Sequence, residues 1–150
     1  MSSTHRRRFL VFFALCLGAA AAVVPAVASE DGTTITIGAS ATLVARVEVD
    51  IHTVVNCAPL PAPASQMSSI NLEEAVSKSS IARGSGFFPV VTCDGADHAV
   101  TAIVFADSSG PPFKRGQAVV TFASINVCTS SFPVVCEGGS AGPQVVSIHG

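Results

Sequence analysis

The sequence predicts an all-β protein, a Greek-key β-sandwich of about seven short strands. Runs rich in Val, Ile, Thr and Phe recur along the chain and are separated by Gly, Pro and Asp turn signals. No long segment has the apolar period of a helix, and no repeat of fixed length is present. Four cysteines follow an N-terminal export signal, which indicates two disulfides in a small extracellular domain.

The segment Phe87–Ala106 predicts the central hairpin of this sandwich. Its first part, Phe87–Cys93, is almost entirely aromatic and β-branched. Asp94 and Gly95 follow as a strong hairpin signal, because Gly adopts positive φ freely. The returning strand, His98–Ala106, is apolar on both faces, which indicates a strand that is covered on both sides or placed centrally.

The stretch Thr42–Cys57 has the clearest alternation in the chain and is predicted to form one strand. Its apolar residues share one parity and are assigned to the core: Leu43, Ala45, Val47, Val49, Ile51, Val55 and Cys57. The other parity is assigned to the solvent face: Arg46, Glu48, Asp50, His52 and Asn56. Cys57 is therefore expected to point inward at the end of a strand, a suitable place for a disulfide between two layers.

The remaining strands are less regular. Ser69–Val76 is interpreted as a strand, although Asn71–Ala75 also has helical propensity. A Pro-rich connection precedes it at Ala58–Gln66, and the Gly-rich segment 137–143 is predicted to be a loop. The other predicted strands are Thr33–Ile37, Gln117–Cys128 and Gln144–Ile148. In the second of these, the residues that share the parity of Cys128 include Ala118, Val120 and Phe122.

The N-terminus has the pattern of an export signal. Arg6–Arg8 forms a basic segment, Phe9–Val24 an apolar core, and Ala26–Ala28 a small-x-small cleavage site. Residues 1–28 are therefore predicted to be a signal peptide, and residues 29–150 a single domain of 122 residues. An uncleaved anchor is the alternative, and the Arg-Arg-x-Phe-Leu motif fits the twin-arginine route as well as the general one. The mature chain contains no second apolar run long enough to span a membrane.

The composition of the mature chain argues against several classes of partner. Five Lys and Arg stand against ten Asp and Glu, which gives a net charge of −5 without a basic cluster. Nucleic acid and anionic lipid are unfavourable partners for such a surface. Trp and Tyr, which stack on sugar rings, are absent, and all nine aromatic residues of the chain are Phe. We therefore expect no nucleic acid, membrane surface or carbohydrate as a partner.

The cysteines that follow the signal are Cys57, Cys93, Cys128 and Cys136. Four cysteines allow three pairings, of which we favour Cys57–Cys93 with Cys128–Cys136. The chain-entropy model gives about 4 kcal/mol for the longer loop and about 2.5 kcal/mol for the shorter. These values are a large share of the stability of a small domain, about 5–15 kcal/mol. Zinc binding is the alternative, and the absence of a Cys-x-x-Cys pair argues against it.

Three motifs and an inward cysteine carry a resemblance to a known group. The motifs are Ile-Ala-Arg-Gly-x-Gly at 81–86, Cys-Asp-Gly-x-x-His-x-Val at 93–100 and Phe-Lys-Arg-Gly-x-Ala-Val-Val at 113–120. Together with Cys57 they resemble a group of small exported bacterial proteins without an assigned activity. The resemblance implies an immunoglobulin-like sandwich and gives no function. Size and two disulfides are also similar to those of neocarzinostatin-type chromophore carriers, although the wide spacing of Cys57 and Cys93 departs from their compact first loop.

The segment Gly138–Gly142 matches the Gly-x-Ser-x-Gly motif of hydrolases. That nucleophile elbow requires a strand before it, a helix after it, and an acid and a histidine downstream. Here Pro143 and a predicted strand follow, no Asp or Glu lies beyond, and His149 is next to the C-terminus. We therefore expect no hydrolase activity and no enzyme.

Histidines and carboxylates are too scattered to predict a metal site. His52 and His98 lie within the body of the mature chain, and the acidic residues nearest to them are Glu48, Asp50, Asp94 and Asp97. A metal site needs three or four such side chains to converge. His52 is predicted to face solvent and His98 to close the hairpin turn, and no Asp-x-Asp-x-Asp-Gly calcium loop is present. The prediction is therefore no metal and no cofactor.

The segment Cys128–Cys136 resembles the nine-residue reactive loop of Bowman–Birk serine-protease inhibitors, whose pattern is Cys-Thr-x-Ser-x-Pro-x-x-Cys. The resemblance implies that Ser130 enters the specificity pocket of a protease and that Ser130–Ser131 is the resisted bond. A small disulfide loop holds an extended segment at low entropic cost on binding. The dense disulfide framework of that family is absent, and Ser130 fits trypsin-like and chymotrypsin-like pockets poorly. The predicted inhibitory loop comprises Thr129, Ser130, Ser131, Phe132 and Pro133.

From the sequence we expect an exported, non-catalytic module, extracellular or associated with the cell envelope, that binds a protein or a small ligand. The first alternative is a serine-protease inhibitor that acts through the Cys128–Cys136 loop. The second alternative is a carrier of an apolar small molecule, lined by Phe87, Phe88, Phe105 and Phe122.

Overall fold

The computed structural model describes residues 27–30, 32–61 and 64–150. Every helix or strand in this part of the chain is a β-strand, so the all-β prediction is confirmed. The predicted export signal, residues 1–28, lies outside the described residues except for Val27 and Ala28. The nine strands of the described part are β1 (Val27–Glu30), β2 (Thr33–Val44), β3 (Glu48–Asn56), β4 (Ala64–Ser77), β5 (Ser80–Phe87), β6 (Asp97–Ala106), β7 (Gly116–Thr129), β8 (Cys136–Ala141) and β9 (Gln144–His149).

The strands close into a barrel, and the predicted immunoglobulin-like Greek-key sandwich is wrong. Neighbouring strands follow the order β2-β3-β6-β5-β4-β7, and β9 pairs with the first and last strands of this path. β9 pairs in parallel with β2 and antiparallel with β7. Because it joins both ends of the path, seven strands form a closed barrel. The two remaining strands lie beside this path, where β1 pairs with β2 and β8 pairs with β7.

Closure is possible because β2 and β7 are long enough for one edge of each to pair with two other strands. β2 has 12 residues, and one of its edges pairs first with β1 and then with β9. β7 has 14 residues, and one of its edges pairs first with β9 and then with β8. A sandwich would leave edge strands with unpaired backbone groups, whereas closure pairs them.

The predicted single strand Thr42–Cys57 is divided in two by a tight turn. Val44 pairs with Glu48, and the turn between them contains Ala45 and Arg46 with φ of 49° and 63°. The predicted core face is confirmed at Val49, Ile51, Val55 and Cys57, whose side chains are all buried. It is wrong at Ala45 and Val47, which are exposed because the chain reverses there.

The predicted central hairpin is also wrong in its first strand. Residues 88–96 form an irregular connection, and β5 ends at Phe87 and pairs with the far end of β6. Side chains of β4 hold this connection in place of a strand ladder. The backbone N–H of Phe88 donates to Ser68 Oγ at 3.1 Å, and that of Val91 donates to Gln66 Oε1 at 2.8 Å. β6 does lie centrally, between β3 and β5.

A bulge in β7 overturns the predicted orientation of Phe122. The β4–β7 register shifts between Asn71 and Leu72, which pair with Phe122 and Val120 respectively. An extra residue on one strand reverses the faces beyond it. Val120 is therefore buried as predicted, whereas Phe122 is 44% exposed.

Two further segments test predictions made from the sequence, and one of the two predictions is confirmed. The segment Ser69–Val76 is part of β4, so the strand interpretation is confirmed over the helical one. The Gly-rich segment 137–143 was predicted as a loop, and this is wrong up to Ala141, where β8 (Cys136–Ala141) ends. Gly139 is required there because a β-carbon would crowd the backbone oxygen of Thr33 on β2.

The core consists of aliphatic side chains together with Phe88 and Phe113, and Phe113, which follows β6, is fully buried. The loop that carries Phe113 is fastened by Glu74, a buried carboxylate whose Oε2 accepts a hydrogen bond from the backbone N–H of Lys114 at 2.8 Å. The largest fully buried side chains are Phe113, Ile35, Ile37, Ile51, Ile70, Leu72, Ile125, Val49, Val55, Val104, Val120 and Val146.

We expect Gly86→Ala to destabilise the protein, because the added methyl group would overlap the backbone oxygen of Ile103 on β6. Overpacking of this kind costs about 1–3 kcal/mol of unfolding free energy. Ser85→Ala, at the exposed neighbouring position, is the matched control and should change that free energy by less than about 0.5 kcal/mol. Urea denaturation measures both variants, and equal stabilities would contradict the close pairing of β5 with β6.

Candidate functional site

Both disulfides lie at one end of the barrel, which we call the disulfide end. Cys57 follows β3 and is bonded to Cys93 with an S–S distance of 2.03 Å. Cys128 and Cys136 form the last residue pair of the β7–β8 ladder, and they are bonded with an S–S distance of 2.10 Å. β3 and β7 both run antiparallel to β2, so both end where β2 begins. These are the pairings that the sequence analysis favoured.

The second disulfide closes residues Cys128–Cys136, the Cys128 loop, which is braced from within by Thr129. The backbone N–H of Thr129 donates to the oxygen of Val135 at 2.8 Å, and the N–H of Val135 donates to Thr129 Oγ1 at 2.9 Å. The same hydroxyl lies 3.4 Å and 3.5 Å from the carbonyl oxygens of Ser131 and Pro133. The Phe132–Pro133 peptide bond is cis. Thr129 is 3% exposed, so one buried side chain contacts both arms of the loop.

The apex of the Cys128 loop presents apolar side chains to solvent. Phe132 is 95% exposed and Val134 is 61% exposed. The two serines before them, Ser130 and Ser131, are exposed as well. The structure therefore brings the predicted inhibitory residues together at the surface, with Thr129 as their internal support.

The predicted turn role of His98 is present in the structure. His98 Nε2 lies 2.8 Å from Asp94 Oδ1, and the backbone N–H of Ala96 donates to the same oxygen at 2.9 Å. The hydrogen bond from His98, with that from Ala96, holds the pKa of Asp94 below its usual value. His52 is exposed on the outer face of β3. Within the described residues, no group of three His, Cys, Asp or Glu side chains is placed to hold a metal ion.

The Gly-x-Ser-x-Gly motif does not form a nucleophile elbow. Ser140 lies within β8, where it pairs with Ser124 of β7. A turn at Gly142, with φ of 115°, and then β9 follow the motif, where an elbow would require a helix.

The four phenylalanines proposed to line a carrier cavity are divided between the core and the outer surface. Phe88 is buried in the core, whereas Phe87, Phe105 and Phe122 lie on the outer surface and are 49%, 46% and 44% exposed. A depression of about 270 Å³ also lies on the outer surface, and its lining residues contain none of the four: Thr36, Gly38, His52, Thr53, Val54, Ala99, Val100 and Thr101.

The structure contains a cavity at the disulfide end that the sequence did not predict. Its volume is about 180 Å³, and it is lined by Leu60, Ala64, Val90, Val91, Thr92, Cys93 and Val127. These residues come from three separate segments that the fold brings together. The nearest signal in the sequence is the pair Val90–Val91 near Cys93, which was interpreted as part of a strand; in the structure Val90 is exposed and Val91 is buried.

Comparison with known proteins adds no relative, since no family model, curated protein or solved structure matches the chain. The resemblance to small exported immunoglobulin-like proteins therefore rests on its sequence motifs alone. Within the described part of the chain, no helix has the length and apolar character needed to cross a membrane.

Proposed function

We propose that the protein is an exported, non-catalytic binding module that contacts an extracellular protein through the Cys128 loop. One observation carries the proposal: the buried hydroxyl of Thr129 braces a disulfide-closed loop whose apolar apex faces solvent. A segment already held in one conformation loses little entropy when it binds. Solvent-facing apolar side chains on such a support provide the area that a partner can bury.

Two further observations support this reading. Disulfides persist in oxidising compartments, and the described part of the chain contains two of them. The side chains that were considered for catalysis or metal binding have structural roles. Ser140 lies in the β7–β8 ladder, and His98 is hydrogen-bonded to Asp94 in a turn. The scaffold is therefore best understood as a support for the loop.

The binding role predicts that a photo-crosslinking residue at position 132 labels a specific partner. The variant Phe132→p-benzoylphenylalanine is expressed in the producing cell, irradiated, and recovered from the culture fluid and the envelope. We expect one dominant crosslinked protein in mass spectrometry, because Phe132 is the most exposed apolar residue of the loop.

The matched control places the same residue at Ile81, which is 45% exposed on β5 at the opposite end of the barrel. This control should not label that protein. Identical labelling from positions 81 and 132, or labelling from neither, would contradict a contact through the Cys128 loop.

Serine-protease inhibition is a second candidate, favoured by the bracing of the loop across its base. In a substrate-like inhibitor, a rigid segment holds the scissile bond in one conformation after binding. The protease therefore cleaves that bond slowly. The hydrogen bonds between Thr129 and Val135 provide such rigidity next to the Ser130–Ser131 bond.

We expect inhibition of an elastase-like protease, whose small specificity pocket suits Ser130, at sub-micromolar concentration. Ser130→Pro should abolish it, because proline fixes φ and removes the backbone N–H. Thr129→Val, which keeps the shape but deletes the hydroxyl, should weaken inhibition by about fivefold or more, because one hydrogen bond contributes about 1 kcal/mol. No inhibition across a panel of serine proteases would exclude this candidate.

An apolar small-molecule carrier has less support. Three of the four phenylalanines assigned to it face solvent on the outside of the barrel, and the fourth fills the core. Drug-sized ligands occupy pockets of about 300–1,000 Å³, and the mainly apolar depression at the outer surface is smaller, at about 270 Å³.

A further inference from the structure

The two disulfides in the described part of the chain differ in their exposure to solvent. Cys57 is fully buried and Cys93 is 9% exposed, so their bond is shielded from dissolved thiols in the folded protein. Cys136 is exposed and Cys128 is half-buried, so the second bond lies at the surface. Thiol–disulfide exchange requires that a thiolate reach one sulfur of the bond. The Cys128–Cys136 bond is therefore the one that a thiol in solution reaches without unfolding of the barrel.

The surroundings of the two bonds differ in the same direction. Cys57 and Cys93 belong to the hydrophobic core. The backbone N–H of Gly95 donates to the oxygen of Cys57 at 3.0 Å, and that of Leu60 donates to the oxygen of Cys93 at 3.0 Å. By contrast, Cys136 ends a run, residues 130–136, in which every residue is exposed. Opening the first bond would separate parts of the core, whereas opening the second separates only the two ends of a surface loop.

Asn126 provides a hydrogen-bond acceptor that only the reduced form of Cys128 can use. Its Oδ1 lies 3.2 Å from Cys128 Sγ. In the disulfide this sulfur carries no hydrogen and has nothing to donate. Reduction converts Cys128 into a thiol, which is a weak donor and already lies within reach of that oxygen. The contact therefore favours the reduced state over the disulfide.

The fold beneath the Cys128 loop does not depend on this bond. Cys128 and Cys136 are the last pair of the β7–β8 ladder, and the five pairs before it join the two strands without the disulfide. Inside the loop, the hydrogen bonds between Thr129 and Val135 still connect the two arms after reduction. Neutral hydrogen bonds of this kind each contribute little net stability. Reduction therefore loosens the loop and leaves the barrel closed.

We infer that the Cys128–Cys136 disulfide is a thiol–disulfide exchange site, which a dithiol in solution opens and so releases the Cys128 loop. A thiolate of the dithiol attacks Sγ of Cys136, the S–S bond breaks, and Cys128 leaves as a thiolate that takes up a proton. The second thiol of the dithiol then attacks the mixed disulfide and releases Cys136. The protein gains two electrons and two protons, and the dithiol is oxidised to a disulfide.

The exchange regulates the contact that we propose for the Cys128 loop, a role that rests on the proposed function. The closed loop presents Phe132 on a constrained backbone. An opened loop must first lose conformational entropy when it binds. The oxidised protein is therefore the binding form, and the reduced protein binds more weakly.

Alkylation during reduction measures the exchange directly. The folded protein is incubated with dithiothreitol, samples are quenched with N-ethylmaleimide at intervals, and the labelled cysteines are mapped by mass spectrometry. We expect Cys128 and Cys136 to be labelled at least about tenfold faster than Cys57 and Cys93, because access limits the exchange. Equal rates, or faster labelling of Cys57 and Cys93, would overturn the inference.

Asn126→Ala removes the acceptor for the Cys128 thiol. In a dithiothreitol redox buffer, it should shift the equilibrium about threefold toward the disulfide, since a thiol is a weak donor. Asn71→Ala, the same change at an exposed position of β4, is the matched control and should leave the equilibrium unchanged. Equal equilibria in the two variants would refute the contribution of Asn126.

Hydrogen exchange distinguishes an opened loop from an unfolded protein. In the reduced protein, the amide of Val135 should lose protection, because Thr129 alone then holds it. The amide of Val119 should keep its protection, because β7 is paired there with both β4 and β9. Loss of protection at both residues, or at neither, would contradict release of the loop from an intact barrel.

The link to binding is tested with the crosslinking residue at position 132 in the producing cell. Cys128→Ala combined with Cys136→Ala reproduces the opened loop, and protection of Val119 checks that its barrel is folded. We expect labelling of the partner to fall about fivefold or more, from the added cost of ordering the loop. Equal labelling with and without the disulfide would overturn the regulatory role and leave the loop contact standing. Labelling from neither protein would refute the proposed function, and the alkylation rates alone would then decide the exchange site.

Discussion

Hydrogen bonding of β9 on both of its edges is the interaction on which the rest of the structure depends. It joins Ser40–Thr42 of β2 to Gly116–Val120 of β7 and converts an open sheet into a barrel. It also buries Val146 and Ile148 in the interior. With β2 and β7 held on either side of one strand, the start of β2 and the end of β7 meet at the same end, where both disulfides form.

The strands on either side of β7 support the Cys128 loop. β7 is paired on one side with β4 and on the other with β8, so the strand that leads into the loop is fixed along both edges. Beyond the end of the ladder, the hydroxyl of Thr129 accepts a hydrogen bond from the N–H of Val135 and so orders the loop. The ordered scaffold and the exposed apex are therefore separate parts of the molecule.

The sequence pattern predicts which residues face inward but not which strand edges pair. Alternation identified Val49, Ile51 and Val55 correctly, because burial on one face imposes a period of two. It failed at Phe122, where a bulge reverses the faces, and at Ala45, where the turn contains no Gly or Asn to signal it. Barrel closure depends on contacts between distant segments, which periodicity does not report. For the same reason the loop was visible as a local motif, whereas the cavity, built from three segments, was not.

Cross-strand nuclear Overhauser effects in the labelled protein test the closed barrel most directly. The account predicts contacts between Ile148 and Ala41 across the parallel pairing, and between Val146 and Ala118 across the antiparallel pairing, in the same folded species. Contacts of β9 with β2 alone, or with β7 alone, would show an open sheet and would contradict the account.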